Sequence, residues 1–135
     1  MTKMSDYLEV ELRKHIFRTG SFTKPAALHV SLHTADPTDA GTGTEVSGGS
    51  YAREARAPLD ANWTAASATD GLTDNAAIID FGTATADWGT VTHWAIWDAA
   101  TLGNMLCHGA LAVAKTVASG DAFNFPIGTL DVIFG

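Results

Sequence analysis

The chain has 135 residues, enough for one domain that buries a core without disulfide or metal staples. Eight Lys and Arg against fifteen Asp and Glu give a net charge of −7, too few cations to favour a nucleic-acid backbone or an anionic membrane surface. The single cysteine, Cys107, excludes an intrachain disulfide, and there is no run of about 18 apolar residues to cross a bilayer as a helix. Met1 to Asp6 lack the apolar core of a signal peptide, so a soluble protein made in the cytoplasm is expected. Charged residues make up 17%, below the usual quarter, which suits a surface that meets other proteins.

Ser5 to Thr19 reads as the one clear helix. Asp6 with Glu9 three residues on makes a capping box, and Leu8, Leu12 and Ile16 fall on one stripe. Glu9 and Arg13 are spaced for an i,i+4 ion pair; Lys14, His15 and Arg18 suit the last turn, and Gly20 is placed to stop it. Two roles fit: a lid over an open end of a sheet, or an arm docking on a neighbouring subunit through Leu8, Leu12 and Ile16. Residues 1–20 are therefore set apart from a β domain spanning 21–135.

Ala26 to His33 is the first predicted strand, with Leu28, Val30 and Leu32 on one face and His29, Ser31 and His33 on the other. Thr34 to Gly43 is a loop by its Asp, Pro, Thr and Gly content. Glu45 to Arg53 leads into a short strand that ends near Ala57. Pro58 to Asp74 stays ambiguous around Trp63. Ala76 to Phe81 is an apolar strand. Val91 to Trp97 and Met105 to Leu111, joined by Asp98 to Asn104, form a hairpin, and the second arm runs on to Val117. Strict alternation would put Val91, His93, Ala95 and Trp97 on one side, and Thr92, Trp94, Ile96 and Asp98 on the other. Neither side is purely polar, so both should be covered, within a sandwich or at a subunit contact. Ala122 to Phe125 and Thr129 to Phe134 complete the strands, with Pro126 at a strand end or edge. One helix and about eight short strands read as a mainly β protein, an antiparallel β-sandwich of jelly-roll or immunoglobulin-like type.

The candidate chemistry is thin. His29 and His33 share a strand face but lie about 13 Å apart at roughly 3.3 Å per residue, too far for one metal ion. His93 and His108 can face each other in the hairpin, more naturally as a chance or interface pair than as ligands. Asp36 and Asp39 offer oxygens to calcium, yet turn bonding accounts for both. Gly48-Gly49 is no phosphate cradle; its expected role is positive φ before Tyr51. Cys107 should be a buried, inert thiol. Asp87 and Asp98 would make a carboxylate pair only if they faced one rim. Trp88, Trp94 and Trp97 suit a sugar-stacking platform less well than core or interface packing. No metal, cofactor or catalytic residue is assigned.

The stretches SDYLEVELRKHIFR, PAALHVSLHTADPTDAGTGTEVSGGSYAR, FGTATADWGTVTHWAIWDAATLGNMLCHGAL and KTVASGDAFNFPIGTL, in that order, resemble a family of small tailed-bacteriophage virion proteins usually labelled short tail fibre proteins. The likeness spans nearly the whole chain outside 58–74. It implies a non-enzymatic structural role on a phage or prophage-derived particle, as a fibre, fibre base or capsid decoration. It further implies self-association, most often as trimers, and contact with other capsid or tail proteins. The resemblance brings no catalytic residues. Trp94, Ile96 and Trp97 are then expected in core or subunit packing. The rival reading is a carbohydrate-binding module that recognises a host-surface glycan through Trp88.

Overall fold

The computed structural model describes residues 2–134. Its centre is a five-stranded antiparallel sheet in the order β1-β7-β6-β2-β3. The strands are β1 (Lys3–Met4), β2 (Leu28–His33), β3 (Glu54–Arg56), β6 (Gly89–Trp97) and β7 (Met105–Val117). Two two-stranded antiparallel ribbons add to it: β4 (Thr73–Asp74) with β9 (Asp131–Val132), and β5 (Ile79–Thr83) with β8 (Ala122–Phe125). One helix, α1 (Asp6–Phe17), lies near the start of the chain. The protein is thus mainly β and sandwich-like, its second layer built from ribbons rather than one continuous sheet.

Period-two patterning decides which side chains meet. Val30 and Leu32 of β2 are wholly buried and stand opposite Ile96 and Trp94 of β6. Ile79, Phe81, Phe123 and Phe125 from the β5–β8 ribbon join the same core. Phe81, Phe123 and Phe125 meet edge-to-face at centroid separations of 5.3–6.2 Å, a geometry favoured by ring quadrupoles. Trp94 lies across from Gly109, where a Cβ would come within 2.8 Å of the indole ring, so the glycine makes room for the tryptophan.

Strict alternation fails at one point of β6. Val91 pairs with Lys115 and His93 with Ala110, so Leu111 to Ala114 stand opposite Thr92 alone. At this irregularity the alternation of β6 itself also breaks, since Val91 and Trp94, three residues apart, share the main core. Val91 consequently joins Trp94 and Ile96 in the main core instead of siding with His93, Ala95 and Trp97. Ala95 and Trp97 form a second cluster with Met105 on the opposite face. Both faces of the hairpin are therefore covered within the chain near the β6–β7 turn, while Ala110 and Ala112 to Thr116 of β7 are exposed.

The helix forms where its stripe predicts, but its ends differ. Ser5, not Asp6, is the N-cap: its Oγ accepts from Leu8 N at 3.1 Å and donates to the carbonyl of Met105. At the other end the chain leaves α1 through an extended Arg18, whose N–H still reaches Lys14 O; Gly20 does not take a left-handed conformation. Strand β1, which the sequence pattern did not suggest, adds Lys3 and Met4 to the edge of β7 opposite His108 and Cys107. Ser5 N–H continues that edge to Leu106 O, so the helix start is fixed to the sheet. Ser5→Ala removes the cap and one buried bond, and should cost about 1–2 kcal/mol in a urea titration.

The stretch from 58 to 74 resolves into turns that end in β4, anchored by a bridge between Trp63 and Asn75. Asn75 is fully buried. Its Nδ2 donates to Ala77 O and Pro126 O, while its Oδ1 accepts from Thr129 and Leu130 N–H. One amide therefore ties the turn region to the last strands.

Candidate functional site

The loop 34–44 folds over the second face of the sheet. Thr34 N–H bonds Thr44 O, and Gly43 sits so close to Pro37 Cα that a Cβ would fall 2.4 Å from it. Under the loop, Trp97 donates its indole N–H to Ser31 Oγ at 2.8 Å, and Ser31 Oγ also meets His33 Nε2 at 2.8 Å. Arg53 lies with its guanidinium carbon 4.0 Å from the centroid of the Trp97 ring. It donates two bonds to Glu45, at 2.9 and 2.8 Å, and two more at 2.9 Å to the carbonyls of Ala99 and Leu102. Tyr51 donates to Glu45 and accepts from Leu32 N–H. Burial works to raise the Glu45 pKa, but the Arg53 guanidinium and Tyr51 hydroxyl outweigh it and hold the carboxyl below its usual range. Burial pushes the Tyr51 phenol up and the His33 imidazole down to about 4.

At the edge of this face, acids meet imidazoles. His108 is buried, with Nε2 2.9 Å from Asp39 Oδ1 and Nδ1 3.4 Å from Asp36 Oδ1. His93 Nε2 reaches Asp36 Oδ2 at 4.0 Å. His93 and His108 are not a cross-strand pair, since the register sets them against Ala110 and Ala95. Asp36 also accepts Thr38 N–H at 2.9 Å, the turn bond its sequence suggested, and that bond leads in holding its carboxyl below the usual range. The cluster fastens the loop to β6 and β7. Among the described residues, no group of three His, Cys, Asp or Glu is placed to hold a metal ion.

The remaining sequence candidates scatter. Asp87 accepts Ser119 N–H at one end of β6, and Asp98 accepts Asn104 N–H and Nδ2 at the other. Some 30 Å of strand separates them at roughly 3.3 Å per residue, so they do not share a rim. Burial pushes the Cys107 thiol up to about 12, away from nucleophilic use. Gly48 and Gly49 both take positive φ, as the approach to Tyr51 requires. Trp88 is buried, with its indole N–H spent on Gly49 O at 2.9 Å. Sugar stacking needs an open indole face, and Trp88 does not present one. Trp94, Ile96 and Trp97 all lie in the chain's own core.

Around α1 the picture changes. Leu8 is buried and Leu12 half-buried, and both line an apolar groove of about 470 Å³ with Phe22, Leu59, Trp63 and Phe134. Trp63 keeps its indole N–H buried with no acceptor. Ile16, the third member of the stripe, is 67% exposed, and neighbouring Phe17 is 79% exposed. Leu8 and Leu12 therefore fix the helix to its own domain, and the far end of α1 shows apolar surface to solvent. Sequence periodicity locates the stripe, but not where the sheet beneath it ends.

The fold is thus mainly β with interlocked loops, and the end of its one helix carries exposed apolar side chains. Residues 3–133 match a family model described as podophage GP4 fiber I protein gp80, and the chain belongs to that family of phage fibre proteins. It is thus a fibre component of a virion. No curated protein matches the chain. No helix among the described residues is long and apolar enough to cross a membrane.

Proposed function

We propose that this chain is a non-enzymatic fibre subunit that works by associating with copies of itself and with neighbouring tail or capsid proteins. The observation that carries the reading is apolar exposure. The central sheet is covered internally around Trp94 to Trp97 and Met105 to Cys107, yet Ile16, Phe17, Leu102, Val113 and Ile127 each remain more than 60% exposed. An isolated exposed apolar residue is ordinary; adjacent exposed side chains on a rigid helix end are what assembly surfaces use. A closed symmetric homo-oligomer, a trimer in the first instance, is what the resemblance to virion fibre proteins implies. Light scattering coupled to size exclusion should give a mass that is a whole multiple of the chain. A stable monomer at all accessible concentrations would refute self-association.

A further inference from the structure

We infer that the C-terminal end of α1 and the groove beside it form a head-to-tail interface that seats the acidic body of a second copy of this chain. The inference rests on the self-association proposed above and says which surface performs it. Residues 12–35 contain four of the eight Lys and Arg and none of the fifteen Asp and Glu. Arg13 and Lys14 are engaged by Glu9 and Glu11 within the helix. Arg18 and Lys24 are exposed and make no salt bridge among the described residues. Arg18 directly follows the exposed Ile16 and Phe17, and Lys24 lines the apolar groove together with Leu12, Phe22 and one acid, Asp60.

The charge pattern selects both occupant and geometry. The rest of the chain holds four Lys and Arg against all fifteen Asp and Glu, so each copy carries two cations unpaired among the described residues, Arg18 and Lys24, at its apolar helix end and groove, and a net anionic remainder. A two-fold contact of patch on patch would set cations against cations. Patch against acidic body is complementary, and a heterologous contact of that kind closes into a ring when its rotation allows. Apolar anchors at the centre with charges at the rim is also the usual anatomy of a protein interface.

The test compares the wild type with Ile16→Asp/Phe17→Asp and with Arg18→Glu/Lys24→Glu, using sedimentation across a concentration series and circular dichroism to verify folding. All four side chains are exposed, so the fold should persist. The apolar pair should weaken association at least about tenfold. Charge reversal should weaken it about tenfold at low salt, and the wild-type assembly should itself loosen as salt rises. Folded variants that assemble like wild type would overturn this interface and leave self-association standing. A monomeric wild type would overturn both.

Discussion

Arg53→Ala is expected to lower the unfolding free energy by about 3 kcal/mol, because it leaves the half-buried Glu45 carboxylate without its cation. The Arg53 side chain is only 7% exposed, so water cannot stand in for it. Two further acceptors lose their donor, the carbonyls of Ala99 and Leu102 in the β6–β7 turn, and the Trp97 ring loses its covering cation. Arg53→Lys should recover less than half of the loss, since an ammonium cannot make the fork to Glu45 and also reach the turn. Urea titration gives the magnitude, and near-ultraviolet dichroism reports on Trp97. A loss below about 1 kcal/mol for the alanine variant would mean that the network is ornamental.

His33 should dominate the mildly acidic side of the stability profile. The side chain is 1% exposed, and burial, assisted by Arg53, holds its pKa down to about 4 against an opposing pull from Glu45. An unfolded histidine takes up its proton near pH 6.5, so below that value the unfolded state binds more protons than the folded one. The stability contribution is complete above about pH 6.5 and is lost as the pH falls towards 4, for a total of about 3 kcal/mol. Glu45 and Asp36, with carboxyls held low, weaken the fold only at still lower pH. In His33→Gln, the decline in urea midpoint between pH 7 and 4.5 should be markedly shallower than in wild type. Equal slopes in the two proteins would show that His33 becomes protonated without cost.

Long periodic stretches were legible because burial on a pleated surface has one period. Leu28, Val30 and Leu32, the β6–β7 hairpin, Ala122 to Phe125 and the Leu8–Leu12 stripe all follow from it. The Val91 side was misread because the break in β6 sits at a register shift against β7, which is set by pairing and not by the local pattern. Strand β1 went unseen because two residues carry no periodicity; only Leu106, a hundred positions away, supplies its continuation. Arg53 and Asn75 were missed for a related reason. A polar residue between turns looks solvated until the chain's own carbonyls and carboxylates gather around it. The buried state of Trp88 depends likewise on Gly49, which local sequence does not place beside it.

The bond from Thr2 Oγ1 to Asp131 O spans 129 positions, and β1 has nothing to pair with until β7 exists. Contacts so distant along the chain make for slow maturation. During synthesis the helix emerges early and waits, with its apolar stripe unsheltered, while more than a hundred residues follow. The ribosome thus delivers the helix well before the surface that steadies it. Premature gathering of nascent copies is a hazard that this topology must outlast.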